Sequence, residues 1–305
     1  MSPRKSNPGR RLLKISEVQD YLRHNPHIWT GYRANLDLAN CFRSVFSLHN
    51  ESVNIWTHLA GFFVFAALLT RDYFLLPSEI LLNSATAGDL AVLVFMTASS
   101  MACMAFSSVY HTLMCHSKAV NDRFLALDLM GIKLAFLGIY VAAIYFGFWC
   151  HPFWQAFYNA VVFAIFCVIV ASTLHPKYPM DEFCALRTAT FVGWAMFGIV
   201  PAVHGLYLQW DVPGIASLAS AFLPNLAFIY VVSAMATLVY ATRFPECCFP
   251  GRVDILGHSH QWWYLLILVV LVFTHKCGLT GLVYVYSVEC GTMPGKEVLE
   301  LVALF

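Results

Sequence analysis

Seven long apolar runs leave this chain few ways to fold. They lie at roughly 54–76, 89–111, 126–149, 153–174, 187–209, 222–242 and 261–286. A helix crossing the hydrocarbon layer takes about 20 residues, and each run supplies them. Lipid offers no partner for backbone N–H and C=O groups, so runs of this length read as helices. Pro, Gly or polar residues interrupt several of them, which is tolerated where a neighbouring helix satisfies the freed backbone. Composition agrees: 59% of residues are hydrophobic and 11% charged, whereas soluble domains carry about 25% charge. The predicted fold class is an all-α membrane protein, a bundle of seven transmembrane helices. Residues 1–50 form a basic arm and 51–305 the membrane domain.

Lys and Arg set the expected orientation. The arm carries Arg4, Lys5, Arg10, Arg11, Lys14, Arg23, Arg33 and Arg43. Lys118, Arg123, Lys177, Arg187, Arg243 and Arg252 fall in the loops on the same side, making fourteen against Arg71 and Lys296 opposite. The positive-inside rule then predicts a cytoplasmic N-terminus and a lumenal or extracellular C-terminus. This is opposite to a G-protein-coupled receptor. The start, MSPRKSNPGRRLLK, has no apolar h-region behind it, so the first span is expected to act as its own insertion signal. Within the arm, Ser16 and Gln19 have capping-box spacing ahead of SEVQDYLRH, and Val18, Tyr21 and Leu22 share a face. A short amphipathic helix on the membrane surface and a solvated basic arm both fit. Net charge is +1, which gives no electrostatic case for nucleic acid. Ten cysteines occur without a C-x-x-C, so neither a disulfide framework nor a zinc knuckle is expected. Vicinal Cys247 and Cys248 read as ordinary thiols or as palmitoylation sites.

With that topology the polar residues sort by depth. Glu51, Asn54 and His58 enter the first span; Ser107 and His111 leave the second. Asp128 enters the third, and His260 and Tyr264 open the seventh. All fall near the cytoplasmic end. Spacings of three and four residues put Glu51, Asn54 and His58 on one face, and pair Ser107 with His111 and His260 with Tyr264. Ionisable groups at membrane depth face a cavity or one another, so four helices are expected to build a single polar site. Any one such histidine is more commonly a hydrogen-bonding group between helices than a ligand. Lys133 stands about 140° around its helix from Asp128 and is not its partner. His204 belongs near the opposite leaflet, and His275 lies too deep to share a site with His260.

Three separated blocks, ESVNIWTH, SSVYH with LDLMG behind it, and GHSHQ, resemble the progestin and adipoQ receptor family, which includes adiponectin receptors and haemolysin-III-like proteins. The resemblance covers nearly the whole chain from about Asn25. It implies seven helices and a zinc ion near the inner leaflet held by three histidines, with Asp and Ser beside a zinc-bound water. Position by position, His111 and His260 match two ligands, and Asp128 and Ser107 match the neighbours in their catalytic roles. At the third ligand position stands Tyr264. A neutral phenol with an ordinary pKa of about 10 is a poor metal donor. His258 substitutes only if the backbone there is non-helical, and Asp128 only by giving up its role as a base.

HNPHIWTGYR, NESVNIWTH and RFPECCFPG further resemble a Raf-kinase-trapping branch of the family. That implies a Golgi-membrane scaffold whose N-terminal side retains a Raf-type kinase and negatively regulates MAP kinase signalling. The basic arm also attracts anionic membrane lipids, at about 1 kcal/mol per basic residue near the surface. The alternative implied by the family is a zinc-dependent lipid amide hydrolase of ceramidase type, with Asp128 as general base. A retinal protein built on Lys276 fits poorly, because Asp128 lies toward the other leaflet.

Overall fold

The computed structural model describes residues 11–74, 86–173, 183–210 and 215–287. Arg4, Lys5, Arg10, Lys177 and Lys296, all counted for orientation, lie outside the described residues. The helices are α1 (Leu38–Ser44), α2 (Ser52–Phe74), α3 (Ala87–Leu113), α4 (Lys118–Gly147), α5 (Pro152–Thr173), α6 (Cys184–Phe197), α7 (Ile199–Leu208), α8 (Ile215–Thr242) and α9 (Ser259–Ser287). Seven stretches are long and apolar enough to cross a membrane: α2 to α5, the α6–α7 pair as Ala185–Leu208, Phe222–Thr242 of α8 and Ser259–Leu282 of α9. Among the described residues there is no strand, and one backbone bridge joins Leu13 to Tyr32. The chain is an all-helical, seven-span membrane protein.

It divides into two compact units. The first comprises residues 1–61, 104–129 and 234–268; the second comprises 62–103, 130–233 and 269–305.

In the first unit the N-terminal segment is built into the protein. Val18, Leu22, Ile28 and Tyr32 are buried against Tyr110 and Met114 of α3 and the turn after it. The expected Ser16–Gln19 helix does not form. Two 3₁₀ turns, Ile15–Glu17 and Asp20–Leu22, stand in its place. The start is capped two residues earlier, where the Lys14 amide donates to Glu17 at 2.8 Å. Val18 between the turns is extended, which suits a β-branched residue. The apolar face that pointed to a membrane surface is spent on this protein core.

Two buried carboxylates fasten the segment to the loop before α9. Asn25 Nδ2 donates to Glu246 at 2.9 Å, and Glu246 also accepts from the Ser259 amide at 2.6 Å, capping the start of α9. Asp254 accepts from the Thr30 amide at 2.8 Å and from its hydroxyl at 2.7 Å. Gly251, at φ +76, lets the loop turn beside Trp29, where a Cβ would lie 2.5 Å from the indole. Deeper, Gly61 admits Met104 and Leu268 so closely that a Cβ would sit 2.7 Å from the Met104 sulfur. Small residues at such crossings are how membrane helices approach one another.

The second unit has an aromatic core. Phe136, Tyr140 and Trp194 stack with centroids 5.1 to 5.9 Å apart across Phe136–Trp194 and Tyr140–Trp194. The break between α6 and α7 follows from Pro201, which lacks an N–H and crowds the carbonyl four residues back. Carbonyls near the break take side-chain donors: Tyr230 donates to Ala195 O at 3.0 Å and Tyr140 to Trp194 O. Buried Asp72 accepts from the Arg71 guanidinium at 2.8 Å and meets His275 at 2.6 Å. His204 pairs with the Tyr158 hydroxyl at 2.9 Å. Cys150, in the turn between α4 and α5, is disulfide-bonded, although cysteine spacing gave no hint of a bridge.

Candidate functional site

All eight residues singled out for the polar site fall in the first unit. Glu51 sits just ahead of α2, in a tight turn fixed by the His49 amide donating to Ser52 Oγ at 2.8 Å. Helical spacing then brings Asn54 back onto Glu51, its Nδ2 donating to Oε2 at 2.6 Å. The same Oε2 lies 2.7 Å from His111 Nδ1. At the far side of that ring, His111 Nε2 meets the Tyr264 hydroxyl at 2.5 Å. Ser107, one turn before His111, donates its hydroxyl to the Tyr264 oxygen at 2.8 Å.

For a neutral imidazole beside an ionised Glu51 these contacts set one direction of donation. A carboxylate only accepts, so the His111 proton is on Nδ1 and Nε2 is the acceptor. Tyr264 therefore donates to His111 and accepts from Ser107. Ser107, Tyr264, His111 and Glu51 form one connected chain, with Asp128 beside Ser107. Glu51 lies outside the spans. Burial works to raise its pKa, but the His111 and Asn54 contacts and the nearby His258 win and hold it well below the usual carboxylate range.

The remaining residues surround this chain. The His58 ring is buried, with its centroid 3.8 Å from that of Tyr264. His260 stands 4.4 Å from Tyr264 and 5.3 Å from His111, centroid to centroid. Asp128 is buried facing Ser107 and His111. Three imidazoles thus crowd one phenol. His258 precedes α9 and turns to Asn50, its Nε2 2.9 Å from the Asn50 carbonyl oxygen. It is no substitute ligand. Tyr264 bonds His111 and Ser107 rather than Asp128, and His275 is engaged with Asp72.

Arg33 was not singled out for the site, yet it positions it. Its guanidinium donates to the carbonyl oxygens of His111 at 2.7 Å and Thr112 at 3.5 Å, covering the open C-terminal end of α3. A basic residue counted for topology carries no mark of such a contact, which only the folded arm reveals.

A zinc ion of the kind the resemblance implies does not fit the donor set as arranged. Among the described residues no group of three or more His, Cys, Asp or Glu side chains could hold a metal. Zinc sites need a third nitrogen, sulfur or carboxylate donor. Here the third corner is a phenol whose oxygen lies 2.5 Å from the nitrogen of His111 that would face the ion. The arrangement holds a chain of polarised hydrogen bonds inside an apolar bundle.

Residues 46–275 match the family model described as haemolysin-III related. The chain is 34% identical over 284 residues to progestin and adipoQ receptor family member 3 of Mus musculus, covering 92% of this chain and 89% of that protein. The Homo sapiens protein of the same name gives the same figures. Heptahelical transmembrane protein 1 of Arabidopsis thaliana is 32% identical over 267 residues, 87% of this chain and 79% of its own. The chain belongs to the haemolysin-III-related, progestin and adipoQ receptor family of seven-helix membrane proteins.

Proposed function

We propose that this chain is a receptor-like scaffold of the Golgi membrane that retains a Raf-type kinase at its cytosolic N-terminal side and thereby restrains MAP kinase signalling. The observation that carries this reading is the hydrogen bond between Tyr264 and His111, which occupies the corner a third metal ligand would need. A family site without its metal keeps the architecture of a receptor and loses the means of hydrolysis. The hydrolase alternative retains Asp128 beside Ser107 and His111, but it needs a metal that this donor set does not fit.

Two further features support the scaffold. The stretches that resemble the kinase-trapping branch pack on each other: the Gly251 amide donates to His27 O at 3.1 Å, and Trp29 lies over Gly251. Trp29 and Phe249 stay exposed on the face they build. The cysteines support the sidedness. Cys41 and Cys115, with sulfurs 3.7 Å apart, are free thiols, as are Cys247 and Cys248, whereas Cys150 is disulfide-bonded. A reducing cytosol at the N-terminal side and an oxidising lumen opposite give that distribution.

Removing the whole arm is not a clean test, because residues 18–32 contribute to the core. The face itself is the better target. Trp29→Ser with Phe249→Ser is expected to abolish recruitment of a Raf-type kinase to membranes while insertion and expression stay unchanged. Full recruitment by the double variant, or none by the wild type, contradicts the scaffold.

A further inference from the structure

A cleft of about 310 Å³ opens in the first unit, at the small end of the range of about 300–1,000 Å³ typical of small-molecule sites. Arg11, Arg33 and Arg43 line it together with Asn40, Ser44 and Ser47, and among the described residues its lining includes no carboxylate. Apart from Arg33, which also holds the His111 carbonyl, the polar site described above does not use it.

Arg33 is 7% exposed. Among the described residues its guanidinium reaches only neutral acceptors: Ser44 Oγ at 2.5 Å and the His111 and Thr112 carbonyl oxygens. Its Nε–H is buried with no acceptor. A buried cation costs several kcal/mol unless an anion compensates it, and among the described residues Arg33 makes no ion pair. The charge is felt nearby: burial and the Arg33 guanidinium push the His49 pKa down to about 3. Of the other two, Arg43 contacts Asn40 Oδ1 at 3.5 Å, and Arg11 bridges to Glu17 at 2.9 Å on the exposed rim.

The position of the cleft identifies the source of the anion. Its wall, Ser44 to His49, runs into α2, the first span, at Ser52. Trp56, within that span, donates its indole N–H to Val45 O at 2.9 Å and meets Phe46 edge-on at 5.9 Å. Phe46 is 81% exposed, and Phe42 and Leu48 beside it are also exposed. Exposed apolar side chains continuous with a span, beside an interfacial Trp, place the cleft among lipid headgroups.

We propose that this cleft binds the phosphomonoester-bearing headgroup of an anionic lipid, of the phosphorylated inositol class. Guanidinium forks match phosphate oxygens in pairs. Asn40, Ser44 and Ser47 hydrogen-bond the hydroxyls of the ring. A phosphatidylserine headgroup would bring its ammonium against three guanidinium groups, so charge alone does not satisfy the site.

The test uses the full chain in detergent and measures binding of dioctanoyl phosphatidylinositol monophosphate, dioctanoyl phosphatidylserine and free inositol bisphosphate. Wild type is expected to bind the phosphoinositide saturably, with phosphatidylserine at least about tenfold weaker. Arg11→Gln with Arg43→Gln, both on exposed side chains that leave Arg33 in place, is expected to weaken binding about tenfold or more. Equal binding of the two lipids, or an unchanged double variant, overturns the proposal. Free inositol bisphosphate binding as tightly as the lipid overturns the membrane lipid as the source.

Discussion

Each unit of this protein buries an imidazole against a carboxylate, and the two pairs are finished differently. In the second unit Asp72 accepts from Arg71 on one side and meets His275 at 2.6 Å on the other. A guanidinium supplies the countercharge there, and the pair is closed by fixed charge. In the first unit Glu51 meets His111 at 2.7 Å with the Asn54 amide and, among the described residues, no guanidinium bonded to it, and the imidazole passes on to the Tyr264 and Ser107 hydroxyls. That chain ends in groups whose protons can be rearranged, within reach of Asp128, His58 and His260. A buried pair closed by arginine holds helices; a pair extended through hydroxyls keeps a site, and here a phenol stands at the position where the family resemblance implies a third ligand.

The largest effect should come from the closed pair. Asp72→Ala leaves His275 buried without its acceptor and Arg71 without its carboxylate, so a loss of about 3–5 kcal/mol is expected in a denaturant titration in mixed micelles. A loss below about 1 kcal/mol would erase the distinction between the pairs. Tyr264→Phe is next. It strips His111 Nε2 of its donor and Ser107 of its acceptor, and about 1–3 kcal/mol of stability should go with them.

A third imidazole sharpens the contrast because it has no carboxylate contact. The His49 pKa is lowered by burial and by Arg33 to about 3, below the unfolded value of about 6.5. The unfolded chain therefore binds the extra proton, so the stabilisation is complete above about pH 6.5 and lost as pH falls toward 3. In His49→Gln the slope of stability against pH in that window should fall by up to about 1.4 kcal/mol per pH unit. The smallest effect belongs to the exposed Lys118–Asp122 pair. Lys118→Ala should cost about 0.3–0.5 kcal/mol and vanish in high salt.

The spans were legible because apolar runs of this length have no other outcome. The run read as 89–111 is Ala87–Leu113, and that read as 126–149 begins earlier, at Lys118, because a polar first turn carries the helix out of the apolar layer. The gathering of Glu51, Ser107, His111 and Tyr264 was legible from spacing and depth. What His111 does with its second nitrogen was not, since periodicity places a side chain on a face and says nothing of its far atom. The arm was misjudged for a related reason. Val18 and Leu22 carry an amphipathic signal, and a membrane surface and a protein core answer it equally well. Glu246 and Asp254, which settle that choice by fastening residues 25–30, lie more than two hundred residues away.

The corner that Tyr264 occupies decides whether this protein holds a metal. Full-length protein produced and purified with zinc present should carry far less than one zinc per chain by elemental analysis, and Tyr264→His about one. One zinc per wild-type chain would mean that the phenol leaves room for a metal after all, and the proposed scaffold without a metal centre would fail.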